Sequence, residues 1–401
     1  MFKSRLSQFE FVTLMAFLMS IVALAIDALL PAINNISADI GIQNSTDNQL
    51  LITMIFLGLG FGQLFFGPIS DSIGRKPVVF LGFGVFIIAS FICINATDLN
   101  TMIFGRILQG IGLSAPRTIS IAIVRDSYSG DYMARIMSFI TVVFILVPIV
   151  APAMGKFVLD HYSWQAIFYI QLFFTVLVSI WFWIRQPETL LENQRIKLSS
   201  HIFSDGLKEL IKYKRTIGFT VISGFITGSF MVYLSTAQQI FQIQYQLTEQ
   251  FPFIFAALAI SVGLATFFNG TLVLKYGMEK LVTIALIAFF LVSIIYVGLF
   301  YHSPNPSIYT ILTFFSLQFF AIGFLFGNLR ALAMEPVGHI AGIASAITGF
   351  ISTMMAVPIS TFVGKYVTTT ALPLFVGFTI CGVFSILILV YLKVYVKTNK
   401  I

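Results

Sequence analysis

Residues 67–77 read GPISDSIGRKP and separate two long apolar stretches, LLITMIFLGLGFGQLFF (50–66) and VVFLGFGVFIIASFICI (78–94). A run of about 20 mostly apolar residues is long enough to cross a bilayer as a helix. The charged residues Asp71, Arg75 and Lys76 are concentrated in the short connection between two such runs. The pattern predicts two membrane-spanning helices joined by a charged turn at one membrane surface.

The composition of the whole chain agrees with this prediction. Of 401 residues, 58% are apolar and 10% are charged, whereas soluble domains carry about 45–50% apolar and about 25% charged residues. We therefore expect an integral membrane protein with lipid as its main solvent. The net charge of +7 does not indicate a nucleic-acid partner, because the basic residues lie in short gaps between apolar runs.

Twelve apolar segments are long enough to span the membrane, which predicts an all-α membrane protein with two pseudo-symmetric six-helix bundles. The longest gap is charged and separates six spans from six spans, so we expect a first bundle at 1–186, a cytoplasmic central loop at 187–215 and a second bundle at 216–401. The predicted spans are 10–32, 47–69, 77–97, 101–124, 133–157, 164–186, 216–237, 251–274, 281–301, 308–332, 340–363 and 371–395.

Lysine and arginine residues predict the orientation, because they are enriched in cytoplasmic loops. With the N-terminus in the cytoplasm, nineteen of the 23 basic residues are cytoplasmic and only Lys156 and Lys365 are outside. Both termini and the central loop are then cytoplasmic. The N-terminal stretch resembles a signal peptide, but its apolar run continues into Asp27 and Pro31, which indicates a retained first helix.

The two halves resemble diverged repeats. GPISDSIGRKPV after span 2 aligns with GTLVLKYGMEKL after span 8, and each has two glycines seven residues apart, Gly67 and Gly74 in one and Gly270 and Gly277 in the other. Spans 5 and 11 also end alike, in GKFV and GKYV. A duplicated six-helix unit is typical of a transporter whose site lies at the repeat interface.

Three charged residues fall deep in predicted spans: Asp27 in span 1, and Arg106 and Arg117 in span 4. A charge at mid-bilayer costs about 2.5–3.5 kcal/mol or more, so it usually faces a cavity or a partner. One interpretation makes Asp27 a proton carrier to which Arg106 responds. The other makes them a structural ion pair between spans 1 and 4. Arg117 follows a proline near the cytoplasmic end, and its role stays open.

Other candidates come from helical position and from backbone chemistry. Pro148 and Pro152 precede Gly155 in span 5, where they are expected to bend the helix as a simple kink, a hinge or a seal. Spans 1, 4, 7 and 10 are expected to line a central cavity. The candidate cavity residues are Asp27, Arg106, Gln109, Tyr233, Gln239 and Gln318.

At this point the residues resemble a known family. The stretch from Gly67 to Lys76 resembles the cytoplasmic loop signature of the major facilitator superfamily, although Ser72 stands where the family has an arginine. Arg106-Ile-Leu-Gln-Gly-Ile-Gly resembles the fourth-helix arginine motif of proton-coupled drug antiporters. The double proline of span 5 resembles their fifth-helix motif more weakly, with Lys156 in place of its last glycine.

Three stretches are more specific: Asp27-Ala-Leu-Leu-Pro31, Val124-Arg125-Asp126 and the double proline of span 5. Together they resemble the Bcr/CflA subfamily of multidrug efflux proteins, whose members export compounds such as bicyclomycin or chloramphenicol-type drugs. The resemblance implies proton coupling through Asp27 and Arg106. It also implies that the charged turn is a conformational latch, in which an aspartate faces a helix end of the other half in the outward-open state. The implied latch residues are Gly67, Asp71, Gly74, Arg75, Lys76, Arg125 and Asp126.

These observations predict a monomeric secondary transporter of the bacterial inner membrane that exports small hydrophobic molecules against proton entry. We expect no cofactor and no metal. We also expect that the protein is not an enzyme, because the sequence has no nucleophile–base pair, phosphate loop or metal cluster. Two alternatives remain: a carrier of the same fold for a specific metabolite or siderophore, and a non-transporting membrane sensor.

Overall fold

A computed structural model describes residues 6–128, 130–195 and 202–399. The described ranges contain no strand and twelve helices of 20 or more residues, which we number in chain order. The first six are α1 (Gln8–Asp27), α2 (Leu50–Ile73), α3 (Arg75–Ile94), α4 (Leu99–Ser127), α5 (Gly130–His161) and α6 (Gln165–Arg185). The second six are α7 (Lys214–Gln238), α8 (Phe251–Tyr276), α9 (Met278–Phe300), α10 (Ile308–Met334), α11 (Ala341–Gly364) and α12 (Leu372–Asn399).

The predicted fold class is confirmed. Among the described residues, eleven helical segments are long and apolar enough to cross a membrane. The remaining long helix, α5, has 32 residues and contains the predicted span 133–157. Helices are the expected solution, because they satisfy every backbone N–H and C=O within the segment where no water is available.

The chain divides into two compact units, Met1–Ile202 and Phe203–Ile401. In the first unit, α4 packs most closely against α2 and α3, and α1 packs against α5. In the second, α7 packs against α11, and α9 packs against α10 and α12. The division falls inside the predicted central loop, of which 196–201 lie outside the described residues. The described part of that loop includes a short helix, Ile202–Ile211.

Glycines bring α2 and α4 into backbone contact. A Cβ atom added to Gly58 would lie 2.0 Å from the carbonyl oxygen of Ile107, and one added to Gly110 would lie 2.0 Å from that of Ile55. These approaches leave no room for any side chain. Small residues at membrane helix interfaces permit this close packing, which fixes the position of α4 against α2.

The charged turn is shorter than the sequence predicted. Helix α2 continues past Gly67 and Pro68 to Ile73, and α3 begins at Arg75, so a single residue separates the two helices. Gly74 has a φ of 109°, a conformation that glycine adopts without steric cost. Gly67 lies within helix α2, so only Gly74 of this glycine pair forms the turn. The apolar environment favours continued intrahelical hydrogen bonding, and the proline removes only one such bond.

The second unit repeats this turn. Gly277 is the single residue between α8 and α9, and its φ is 77°. The alignment of Gly74 with Gly277 therefore corresponds to the same local geometry in both units.

Candidate functional site

Asp27 lies at an interruption of the first membrane helix. Helix α1 ends at this residue, a 3₁₀ turn follows at Leu30–Ala32, and a short helix, Ile33–Asp39, continues the chain. Pro31 lacks the N–H that would bond to the carbonyl of Asp27 four residues earlier, which explains why the helix breaks here. The carboxylate-bearing residue is buried, with 5% exposure.

Helix α5 contacts the chain immediately after Asp27. A Cβ atom added to Gly155 would lie 2.0 Å from the carbonyl oxygen of Ala28, so only glycine fits this crossing. Pro148 and Pro152 lie within α5 about two turns and one turn before Gly155, respectively. The contact places the double proline beside the break in α1. A hinge or seal role for it stays a prediction.

Arg106 is buried with 1% exposure, and its partners are mainly backbone carbonyls. Its Nε donates to the carbonyl oxygen of Leu51 at 2.7 Å, and its Nη1 donates to that of Ala25 at 3.1 Å. The same Nη1 donates to Oε1 of Gln109 at 2.7 Å. One guanidinium thus joins α1, α2 and α4. In the described ranges its Nη2 is buried without a hydrogen-bond partner.

The polar network continues from Gln109 into α3. Its Nε2 donates to Oγ of Ser90 at 2.8 Å, and that hydroxyl donates to the carbonyl of Phe86 at 2.8 Å. Four helices of the first unit therefore meet at one chain of hydrogen bonds. Sequence reasoning missed Ser90, although an isolated polar residue in the apolar run of α3 was an available signal. The backbone carbonyls that accept hydrogen bonds from Arg106 cannot be recognised in the sequence, because every residue has one.

Asp27 and Arg106 do not form an ion pair. Within the part of the chain that the structure describes, the Asp27 carboxylate takes part in no salt bridge or hydrogen bond, and the Arg106 partners are those given above. The structural ion pair considered from the sequence is thus not present. The two residues are connected instead through the backbone, because Arg106 bonds to a carbonyl two residues before Asp27.

Arg75 is the centre of the charged turn. Its residue exposure is 3%, and its Nε lies 2.9 Å from Oδ2 of Asp126. Its Nη1 contacts the carboxylate of Asp71 and donates to Oγ of Ser70 at 2.8 Å. This arginine joins the end of α2, the start of α3 and the end of α4.

Arg125 lies outside this cluster of contacts, and its part in a latch stays a prediction. The residue is exposed, and within the described ranges its side chain forms no ion pair. Its neighbour Asp126 contacts Arg75 instead. Successive residues of a helix point about 100° apart, so only one of the two faces α3.

Glu188 is a part of the turn that sequence reasoning missed. Its Oε1 accepts from the backbone N–H of Arg75 at 3.0 Å, and its Oε2 accepts from that of Lys76 at 2.9 Å. These are the first two N–H groups of α3, where a negative charge is favoured. Gly74 leaves space for this carboxylate, since an added Cβ would lie 2.8 Å from Oε2. A lone carboxylate directly after α6 was the available sequence signal.

Two more contacts hold the start of the predicted central loop and the end of α6 to the turn. Thr189 donates from Oγ1 to Oδ2 of Asp126 at 3.1 Å. Lys76 donates from Nζ to the carbonyl of Trp183 at 2.7 Å. The start of the predicted central loop is therefore an ordered component of the charged turn.

The candidates of the second unit hold neighbouring helices together. Gln318 donates from Nε2 to the carbonyl of Phe289 at 3.1 Å, and Gln239 donates to that of Thr368 at 3.2 Å. Tyr233 is buried at 2% exposure, with its ring centroid 4.5 Å from that of Phe319. A role for these residues in substrate binding stays a prediction. In the described ranges, no group of three His, Cys, Asp or Glu side chains is arranged to hold a metal ion.

The chain is similar in sequence to known transport and resistance proteins. The chain is 28% identical to the bicyclomycin resistance protein homolog of Haemophilus influenzae, over 95% of each chain. It is 26% identical to the multidrug resistance protein MdtL of Citrobacter koseri, over 94% of each chain.

Two solved structures share the fold. The D-xylose-proton symporter superposes with a TM-score of 0.73 at 14% identity, covering 96% of this chain and 97% of that one. The human organic anion transporter MFSD10 gives 0.66 at 16% identity, covering 96% of this chain and 99% of that one. The family model of the Major Facilitator Superfamily matches residues 15–357. Because this match covers most of its length, the chain belongs to the Major Facilitator Superfamily.

Proposed function

We propose that this protein is a proton-coupled exporter of small hydrophobic compounds in the inner membrane of a bacterium. In this proposal both termini are cytoplasmic, 1–186 and 216–401 are the two transport domains, and 187–215 is the cytoplasmic loop between them. Its substrates are small molecules and protons, and it works as a monomer. The names of the two relatives, a bicyclomycin resistance protein homolog and a multidrug resistance protein, support export of drugs over transport of a specific metabolite or siderophore. They also give no support to a non-transporting sensor.

The observation that carries the proposal is the burial of Asp27 at the break of α1, two residues after the carbonyl that Arg106 holds. An ionisable group inside a membrane segment is costly and is usually retained for transport of protons, ions or substrate. Asp27 carries a charge when deprotonated and none when protonated. Its protonation therefore changes the electrostatic energy at the C-terminal end of α1, where regular helix gives way to the 3₁₀ turn.

Coupling follows from this change if the two charge states favour different conformations. A ligand shifts an equilibrium only by its difference in affinity for the two states. A cationic compound bound near Asp27 favours the deprotonated carboxylate, whereas proton binding produces the neutral form. Arg106 sets the local potential while its hydrogen bonds keep α1, α2 and α4 in register. Export of substrate and entry of a proton then alternate at one site.

The charged turn supports the latch part of the proposal. Arg75, Asp71 and Asp126 form a partly buried cluster at the ends of three helices, and Glu188 caps α3 beside it. Such a cluster has two arrangements available, paired or separated, and it is suited to stabilise one conformation over another.

Transport in proteoliposomes tests the coupling role. With bicyclomycin as the first probe, wild-type protein should move the compound against its gradient when a pH gradient is applied. The Asp27→Asn variant should lose this activity and should release no protons on addition of the probe. Asp205→Asn is the matched control, because that carboxylate lies in the exposed helix Ile202–Ile211. Wild-type export by Asp27→Asn would exclude Asp27 as the coupling residue.

If the wild type does not transport bicyclomycin, the test uses a panel of drugs instead of one compound. Cells that produce wild-type protein should survive raised concentrations of at least one hydrophobic drug, and cells with Asp27→Asn should not. Resistance that is equal in both strains would contradict the proposal.

A further inference from the structure

An open groove lies at one end of the second unit, where α8 ends, α9 begins and α12 passes. Its volume is about 410 Å³. Its lining includes Tyr276, Lys280, Thr283, Ile284 and Lys393. None of these residues has a part in the transport mechanism proposed above.

The groove is rich in positive charge. The ammonium groups of Lys275 and Lys280 each lie 5.2 Å from the ring centroid of Tyr276, at a distance typical of cation–π contacts. Lys393 donates from Nζ to Oγ1 of Thr283 at 2.8 Å. Within the part of the chain that the structure describes, none of these three lysines forms a salt bridge with a carboxylate.

The groove lining also contains one carboxylate, that of Glu279, and it is already paired. Glu279 accepts a hydrogen bond from Nη2 of Arg215 on α7 at 2.6 Å. The lysines therefore keep an excess of positive charge, and each has donor capacity left for an anion.

The lining also offers apolar surface. Ile284 within it is 55% exposed, and Val394, the chain neighbour of Lys393, is 58% exposed. In a membrane protein such residues face acyl chains. The combination of a cationic pocket with an adjoining apolar surface matches a molecule that is anionic at one end and aliphatic at the other.

We propose that this groove binds the headgroup of an anionic phospholipid of the cytoplasmic leaflet, with its phosphate against Lys280 and Lys393 and its acyl chains along α9 and α12. Basic pockets at the cytoplasmic ends of membrane helices attract anionic lipids. The predicted orientation puts this end of α8, α9 and α12 at the cytoplasmic surface. A soluble phosphate shares the headgroup chemistry but leaves the apolar border uncovered, so we assign the site to a lipid.

Native mass spectrometry of the purified full-length protein in detergent tests the assignment, with phosphatidylglycerol as the probe and phosphatidylcholine as the zwitterionic comparison. Wild-type protein should retain phosphatidylglycerol in preference to phosphatidylcholine. The double variant Lys280→Gln with Lys393→Gln should weaken that retention by roughly 30-fold, as expected for two lost lysine–headgroup contacts. The variant Lys280→Arg with Lys393→Arg keeps both charges and should retain the lipid.

The control removes two lysines elsewhere in the same unit. Lys208→Gln with Lys212→Gln changes the net charge equally and should bind phosphatidylglycerol like the wild type, and thermal unfolding should show that all variants are folded. If Lys280→Gln with Lys393→Gln retained phosphatidylglycerol as well as the wild type does, the proposal would be overturned. Equal retention of phosphatidylcholine would also overturn it, as would displacement of the lipid by millimolar inorganic phosphate, which would identify a site for soluble anions.

Discussion

Nε of Arg75 lies 2.9 Å from Oδ2 of Asp126, and this ion pair joins the first residue of α3 to the last turn of α4. The exposed fractions of the two side chains are 4% and 16%. Asp71, the second carboxylate on the arginine, has a side chain that is 35% exposed. Exposed ion pairs contribute little, whereas loss of one partner of a buried pair leaves an uncompensated charge. The two carboxylates should therefore differ in importance.

The Asp126→Asn variant should destabilise the protein more than Asp71→Asn. We expect a cost of about 1–3 kcal/mol for Asp126→Asn, because Arg75 loses its better buried partner. Thermal unfolding in detergent measures the difference. Arg125→Gln is the matched control, since its exposed side chain forms no ion pair in the described ranges, and it should unfold like the wild type. Equal midpoints for Asp126→Asn and the wild type would contradict this prediction.

Glu188→Gln should loosen the start of α3. The amide keeps one acceptor but loses the negative charge at the helix N-terminus, at a cost of about 0.5–2 kcal/mol. Hydrogen exchange at the amides of Arg75 and Lys76, which Glu188 caps, should become faster.

The control for this variant is Glu192→Gln, a nearby exposed glutamate in the same segment. Its exchange at the start of α3 should match that of the wild type. If Glu188→Gln leaves exchange at Arg75 and Lys76 unchanged, the cap does not stabilise the turn.

A double-mutant cycle tests the buried network of α4. Arg106→Gln and Gln109→Leu each break the hydrogen bond between these side chains, and Gln109→Leu also removes the donor to the hydroxyl of Ser90. Because the residues share one network, their effects on the free energy of unfolding should not add. We expect a coupling energy of about 0.5–3 kcal/mol. Additive effects within about 0.5 kcal/mol would show that the hydrogen bond contributes no coupling.

Gly110→Ala should be destabilising, because the new Cβ would lie 2.0 Å from the carbonyl oxygen of Ile55 and α4 would have to move from α2. Overpacking of this kind costs about 1–3 kcal/mol or more. Gly270→Ala is the comparison, since an added Cβ there meets nothing within 4 Å. It should be neutral or stabilising by about 0.5–1 kcal/mol, because alanine favours a helix interior. Similar unfolding midpoints for the two variants would contradict the packing argument.

The sequence by itself determined the fold class, an all-α membrane protein, together with the number of long helices and the position of the charged turn. The physical reason is that crossing a bilayer is a local requirement: about 20 apolar residues suffice, and the helix satisfies its own backbone. The glycine spacing also predicted a repeated turn, and Gly74 and Gly277 both adopt a positive φ there. Asp27 and Arg106 were recognisable because charges are rare in such segments.

Only the tertiary structure decided which groups these residues contact. Arg106 bonds to backbone carbonyls of α1 and α2 instead of Asp27, and Arg75 pairs with Asp126 while Arg125 is exposed. Glu188 reaches the turn from more than a hundred residues away. Such contacts depend on how each helix is rotated about its axis and how closely its neighbours approach. Apolar runs that are hydrophobic on every side do not specify that rotation, so packing selects the partner of each buried charge.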